Sequence, residues 1–481
     1  MKNKDQFDAL EVVHEELDQN GRKERAPRRV LWMRCAAAAA CALALLVAFL
    51  KSPFFKSKFG KEEASGQAGE SFAVQAEYPE PVAEQMSVNE FYENDAHWDW
   101  WESYRKLTDR SSKLQPGLQG FYTSMMGQIL GSGDDNIVCS PINLYIAFAM
   151  LAEVSDGETR QQVLDMLGST DIETVRAQVD ALWQSNYVDT PVLKSLLANS
   201  IWLDQSVGYN SETLQRLADQ YHASSFSGTP GSAEMDEALR HWTDENTGNL
   251  LTEYTKDMKI APDTVLEILS TIYYKATWQD VFLAQNTTQE VFHGTQGDST
   301  VDMMHRSDMM GVYRTDKFSA ISLNLMDSGS MVFYLPNEGI DVRALAADPE
   351  GFEATKPIEN EAWSYPMVHL SLPKFKVTAK TDLIETIRAL GVTDALDHTV
   401  SDFTPLTTEK DQLYVSKAEH AAMIEIDEEG VTGAAYTQLE LAEGAAEPNE
   451  EIDFVVDRPF MFVVTSRDGS ILFSGIVQNI Q

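Results

Sequence analysis

The chain has 481 residues, 37 of them basic and 75 acidic, for a formal net charge of −38 at neutral pH. Hydrophobic residues make up 43%, enough for a large core, so most of the chain is expected to fold. So acidic a protein lacks the basic face that displaces counterions from phosphates, which excludes nucleic acid as the main partner. An anionic membrane surface is excluded in the same way, and the acid serves solubility.

In chain order the first segment is a basic tail, residues 1–29, where Arg22, Lys23, Arg25, Arg28 and Arg29 cluster ahead of an apolar run. That run, "VLWMRCAAAAACALALLVAFL", occupies Val30 to Leu50. As a helix it spans roughly 31 Å, enough for a bilayer core, with Arg34 near the end where it can snorkel. The positive-inside rule puts residue 1 in the cytoplasm. Residues 30–50 are therefore expected to be a transmembrane signal-anchor, with everything after them outside the cell. The rival is a cleaved signal peptide and a secreted protein. The long leading segment and the following "KSPFFKSK", with no small-x-small site, argue against it. Residues 51–112 are polar and read as an extracellular stalk containing one helix. Its aromatic knot, "FYENDAHWDWW", is expected to pack on the domain rather than bind a ligand.

From about Lys113 the pattern becomes dense. Apolar residues spaced by three and four in "LQGFYTSMMGQIL" predict a helix. "ETRQQVLDMLG" and "TDLIETIRALGV" predict helices that stop at glycine. "VLKSLLANSIWL", "TVLEILSTIYYKATW", "GSMVFYLP" and "VHLSLPKFKV" are rich in β-branched and aromatic residues and predict strands. Helices gather early and strands late without regular alternation, which favours an α+β fold over a doubly wound sheet.

Catalytic and metal chemistry has little to stand on. No nucleophile elbow, zinc-protease helix, C-x-x-C or P-loop lysine is found in context. "EIDEEG" (Glu425–Gly430) imitates the start of a calcium loop, but the twelfth position would be Tyr436, where a bidentate Glu is needed. The nine histidines show no ligand spacing. Two of the three cysteines, Cys35 and Cys41, lie in the apolar run. Cys139 alone builds neither a disulfide nor a thiolate cage. No enzyme activity, cofactor or metal is expected.

The unusual stretch is "IDEEGVTGAAYTQLELAEGAAEPNEEIDFVVDRPF", Ile426–Phe460. More than twenty residues carry little apolar bulk between two strand-like segments, and loops of that length inside a domain are functional or disordered. Alternate residues Val431, Gly433, Ala435, Thr437, Leu439 and Leu441 are small or apolar. Thr432, Ala434, Tyr436, Gln438 and Glu440 are mostly polar. This is the period of a half-buried strand, yet glycine and small residues make a poor permanent one. The segment reads as able to enter a sheet rather than fixed in it.

At this point a resemblance becomes specific. "EEGVTGAA" (Glu428–Ala435) resembles the loop hinge of the serpins, and "DRPFMFVV" with "GSILFSGIVQN" resembles their C-terminal signature. "CSPINLYIAFAML", "LANSIWL", "ILSTIYYKATWQDVF" and "VHLSLPKFKV" match further blocks in order, over residues 113–481. With the anchor, the chain is identified as a membrane-anchored, bacterial-type member. The resemblance implies a serpin fold of three β-sheets, a helical N-terminal part and an exposed reactive-centre loop. It implies a suicide-type inhibitor of a serine or cysteine protease, monomeric and without catalytic residues. The hinge would be Glu428, Glu429, Gly430, Val431, Thr432, Gly433, Ala434 and Ala435. Ser140, Asn143, Ser270, His420 and Trp278 match the cluster where the central sheet opens. The residues usual at Asn143 and Ser270, Ser and Asn, look exchanged, which would keep one hydroxyl and one amide in a buried network. Val431, Gly433 and Tyr436 depart from the usual residues, without forbidding insertion. Counting from Glu428 as the first residue puts the attacked bond at Gly444–Ala445, with Glu443 and Ala446 as alternatives. No Arg or Lys is near, so elastase- or subtilisin-like proteases are expected, or a glutamate-specific one. The alternative is a non-inhibitory serpin-like surface protein, a binding module or scaffold.

Overall fold

The computed structural model describes residues 72–348, 363–409, 413–431 and 450–481. Its strands form three sheets. The largest runs β1 (Phe72–Val74), β5 (Ala223–Gly228), β4 (Leu193–Asp204), β6 (Leu266–Thr277), β15 (Gly430–Val431), β14 (Glu419–Ile426), β13 (Phe375–Asp382), with β3 (Val188–Asp189) pairing to β4. A six-stranded sheet follows the order β2 (Ile137–Cys139), β18 (Ile471–Val477), β17 (Phe460–Thr465), β11 (Ser330–Pro336), β10 (Phe318–Asn324), β9 (Gly311–Arg314). The four-stranded sheet is β16 (Glu451–Val455), β12 (Met367–Pro373), β8 (Gly297–Met309), β7 (Thr288–Gly294). The segments read as strands from β-branched and aromatic content are β4, β6, β11, and β12 with β13.

The helix Pro141–Val154 shows why the core sits where it does. Proline at its start supplies the preset φ of a first turn and loses no needed N–H. Almost every residue of "PINLYIAFAMLAEV" is buried, and a helix apolar on all sides can only sit inside. It belongs to the main core, shared with β6 and β18. The next helix, Gly157–Leu167, ends at Gly168 with φ 72°, a left-handed cap that costs glycine nothing. On the outer face of β4, Trp202 stacks on Phe226 at 4.3 Å under the helix Ala233–Asn246, which contributes Met235, Leu239 and Trp242.

Residues 72–112, expected to be part of the stalk, are already packed on the domain among the described residues. Strand β1 pairs antiparallel with β5, and the Ala76 N–H donates to Ser224 Oγ at 3.1 Å. The Tyr78 hydroxyl donates to the His222 carbonyl at 2.9 Å, and its ring lies 5.7 Å from those of both Trp183 and Tyr187. In the helix Asp95–Ser111 the buried residues His97, Tyr104, Thr108 and Ser111 recur at helical spacing, so one face is covered. The aromatic knot packs on the domain: the Tyr92 hydroxyl donates to Asp327 at 3.0 Å, His97 Nε2 lies 3.5 Å from the same carboxylate, and the Arg467 guanidinium sits 4.4 Å over the Trp101 ring. The helix closes with Ser111 donating to the buried Asp468 carboxylate at 2.5 Å. The tail 1–29, the apolar run 30–50 and the first part of the stalk lie outside the described residues. Among the described residues no helix is long and apolar enough to cross a membrane.

Candidate functional site

The site is built where β14 ends and the chain turns back. The Asp427 side chain accepts the N–H groups of Glu429 (2.9 Å) and Gly430 (3.1 Å), the side-chain-to-backbone pattern that makes aspartate a turn residue. The returning chain then enters the sheet. Val431 lies opposite Ile426 of β14 on one side and Ala276 of β6 on the other, with Gly430 opposite Thr277. A Cβ on Gly430 would fall 2.1 Å from the Ala276 carbonyl oxygen, so only glycine fits so close to a backbone. Val431 is 1% exposed and belongs to the core. Sequence reasoning put Val431 on the inward face, but as a residue that enters after cleavage. In the uncleaved chain it is already inside.

Every carbonyl of the turn is claimed. The Trp278 indole donates to the Asp427 carbonyl and the Trp278 N–H to that of Glu429, each at 2.9 Å. The Phe282 N–H donates to the Glu428 carbonyl at 2.9 Å. Trp278 itself is 1% exposed. Glu428 is held by its side chain as well, with Thr287 Oγ1 at 2.7 Å and Lys374 Nζ at 3.0 Å. Partial burial works against its charge, but those two partners outweigh it and keep the carboxylate below the usual range. Glu429 goes the other way: partial burial and its neighbour Asp427 raise it.

Below β15 the two flanking strands part. Among the described residues β6 and β14 are neighbours only through β15. Where they diverge, a cavity of about 30 Å³ is lined by Ser140, Asn143, Ser270 and His420, with Ile272 and Ala422 among the apolar walls. The resemblance grouped those four with Trp278; the four line this cavity, while Trp278 is not in its lining and bonds the Asp427 carbonyl at the turn. His420 Nε2 accepts the Ser140 N–H at 2.9 Å, and Ser140 Oγ donates to Asn143 Oδ1, also at 2.9 Å. An imidazole nitrogen that accepts a backbone N–H is unprotonated, and burial lowers the His420 pKa to about 4. The expected exchange of hydroxyl and amide is only half realised. Asn143 joins the network, but Ser270 Oγ is buried and has no partner among the described residues.

The other end of the loop returns at Glu450, whose carbonyl accepts the Met367 N–H at 2.9 Å. Strand β16 then runs parallel to β12, from Met367 opposite Glu451 to Ser371 opposite Val455. Thr432, Gly433, Ala434 and Ala435 of the hinge, and Glu443, Gly444, Ala445 and Ala446 around the expected bond, lie outside the described residues. No group of three His, Cys, Asp or Glu among the described residues is placed to hold a metal ion. Cys139 is buried, which raises its thiol to about 12 and leaves it no nucleophilic thiolate.

Known proteins match most of the chain in sequence and fold. The sequence profile of one family, Serpin (serine protease inhibitor), covers residues 117–480. Alpha-1-antiproteinase 2 of Equus caballus is 28% identical over 376 residues, 76% of this chain and 86% of that protein. Serpin-Z2A of Triticum aestivum is 25% identical over 72% of this chain and 90% of its own length. Among solved structures, the thermophilic serpin tengpin in its native state is alike in fold, with a TM-score of 0.67, 23% identity, and 76% and 94% of the two chains covered. Thyroxine-binding globulin in complex with thyroxine gives 0.66 at 21% identity, over 77% of this chain and 100% of that one. A turn that feeds its first residues into a parted sheet, over a Ser–Asn–His cluster, is thus found in a chain that belongs to the serpin family, whose members are generally protease inhibitors and not enzymes.

Proposed function

We propose that this protein traps a serine or cysteine protease as an acyl-enzyme by drawing its cleaved loop into the eight-stranded sheet. The observation that carries the reading is β15: Gly430 and Val431 already pair with both β6 and β14, above strands that have no direct pairing below. Continuing the antiparallel register brings Gly433 opposite Tyr274, Ala435 opposite Ile272, Thr437 opposite Ser270 and Leu439 opposite Ile268. Inward positions of the loop thus meet inward positions of β6, and the Thr437 hydroxyl arrives beside the unpartnered one of Ser270. About ten new backbone hydrogen bonds at roughly 1 kcal/mol net each rival the stability of a whole domain. The uncleaved form is then held by kinetics.

The attacked bond is Gly444–Ala445, with Glu443 and Ala446 as alternatives on either side. The small Gly444, Ala445 and Ala446 favour an elastase- or subtilisin-like protease, whereas Glu443 would suit a glutamate-specific one. Residues 30–50 anchor the protein, with 1–29 in the cytoplasm and the C-terminal serpin domain outside the cell. The intact protein should then resist a carbonate wash of the membrane fraction, and a mature soluble form starting near residue 51 would favour the secreted reading. A panel of proteases tests the main proposal. An inhibitor gives a covalent complex that survives a denaturing gel. Cleavage alone, or no reaction, would point instead to a non-inhibitory binding or scaffold protein; thyroxine-binding globulin, of like fold, binds thyroxine.

A further inference from the structure

Beside the loop's return lies a stripe of apolar side chains on a surface where a strand face would ordinarily be polar. Met367 of β12 is opposite Met309 of β8. The pairing runs on past the strand ends: Ser364 and Val312 exchange backbone hydrogen bonds at 2.9 and 2.8 Å, and the Met310 N–H donates to the Pro366 carbonyl at 3.3 Å. Directly opposed residues share a face, so this ribbon sets Met309 with Met367, Gly311 with Tyr365, and Tyr313 with Trp363. The alternate residues, Met310 and Val312, are buried, only 4% and 1% exposed. Tyr365 and Met309 face outward, 59% and 43% exposed, while Tyr313 and Trp363 at the far end are half-buried against the main core. Gly311 leaves room for the rings: a Cβ there would sit 3.3 Å from Trp363 and 3.4 Å from Tyr365.

An outward apolar stripe on a half-buried ribbon is unusual and marks a contact surface. Its place in the fold names the occupant. Glu450, the first described residue after the loop, bonds the Met367 N–H through its carbonyl and Arg314 Nη1 through its carboxylate, the latter at 3.2 Å. Arg314 ends the strand that holds Gly311 and Tyr313. From Ala445 to Glu450 the chain extends at most about 18 Å. A protein docked on the expected bond covers about 800 Å² on each partner, a patch about 30 Å across. The expected bond is thus tethered within about 18 Å of Glu450, which places a footprint of that size beside the stripe. Tyr, Trp and Met are also the residues enriched where interfaces hold tightest.

We propose that Met309, Tyr365 and Met367 form a docking surface for the body of the target protease, outside its active-site cleft. This rests on the reading of the loop as protease bait. The stripe acts on encounter and not on insertion, so it sets the rate of trapping and leaves the partition between trapping and cleavage unchanged.

The test compares the full chain with a Met309→Ala/Tyr365→Ala double variant and with Tyr365→Phe. The probe is the elastase- or subtilisin-like protease that the wild type traps fastest. The double variant should lose roughly tenfold or more in the second-order rate of complex formation, at an unchanged stoichiometry of inhibition and melting midpoint. Tyr365→Phe, which keeps the ring, should stay close to the wild type. Equal rates for all three proteins would overturn the docking surface while leaving the trap intact. A rate loss accompanied by a raised stoichiometry would also overturn it, because the stripe would then act on insertion. A change in self-association without a change in rate would overturn it in favour of contacts between copies. If the wild type forms no denaturation-resistant complex, the bait reading fails first and takes this proposal with it.

Discussion

Replacing Val431 by arginine puts a cation at the one place where the sheet is already being entered. The valine side chain is 1% exposed, and removing it forfeits roughly 1.5–3 kcal/mol of burial. The guanidinium would sit between Ala276 and Ile426, neither of which offers a side-chain acceptor, and an unpaired buried charge costs several kcal/mol more. Against this, leaving the sheet gives up the few backbone hydrogen bonds of β15, at roughly 1 kcal/mol each. Expulsion wins. In the uncleaved Val431→Arg chain the hinge should therefore stand outside, and after cleavage it must cross the same barrier while water competes for the acyl-enzyme. The assay incubates variant and wild type with a trapped protease and separates covalent complex from cleaved inhibitor on a denaturing gel. The wild type should give mostly complex and Val431→Arg mostly cleaved chain, cut at the same bond. Thr432→Arg, on the outward set, serves as the control and should stay near the wild type. If Val431→Arg traps as efficiently as the wild type, insertion does not pass through this position and the reasoning fails.

Three further outcomes follow from the same geometry. Burial holds the folded His420 pKa at about 4, below the ordinary histidine value near 6.5. Its neutral form therefore contributes stability above pH 6.5 that is lost as pH falls towards 4, about 3 kcal/mol in all. Urea midpoints measured from pH 7 to pH 4 should fall more steeply in the wild type than in His420→Gln, and parallel slopes would remove the histidine from the account. Ser270→Ala deletes a buried hydroxyl that has no partner, so the uncleaved protein should unfold at an equal or higher urea concentration, by about 1 kcal/mol; a clear loss would mean that the hydroxyl is in use. Between Asp171 and Asn186 the single basic residue is Arg176, already committed to the buried Glu153 at 2.7 Å, so heparin should not accelerate trapping, and a large acceleration measured by progress curves would contradict this.

Period and composition made the regular elements legible. The β-branched run "LEILSTIYYKAT" is strand β6, and the spacing of "LQGFYTSMMGQIL" is the helix Gln115–Leu130. Motif matching found the polar cluster: Ser140 and Asn143 are neighbours in sequence, while Ser270 and His420 come from distant segments, and all four line one cavity. Other features depend on long-range partners that no local pattern carries. That Gly430–Val431 is already strand is decided by Ala276 and Ile426, although the Asp427 turn and the obligatory Gly430 were visible traces of it. The three residues of β1 (Phe72–Val74) are too few for a period to emerge, so its pairing with β5 was hidden. In the helix Asp95–Ser111 the covered face was diluted by the acidic residues around it. Ser270's missing partner is a matter of ångströms and could not be read from residue types.

The central claim is that the parted sheet accepts the cleaved loop, and one measurement addresses it directly. The melting midpoint is recorded for the intact protein and again after a protease has cut within residues 432–449. Insertion at about ten hydrogen bonds of roughly 1 kcal/mol each should raise the midpoint by about 10 °C or more in a domain of this size. An unchanged or lowered midpoint after clean cleavage would mean that the loop stays outside and that this chain does not work by insertion.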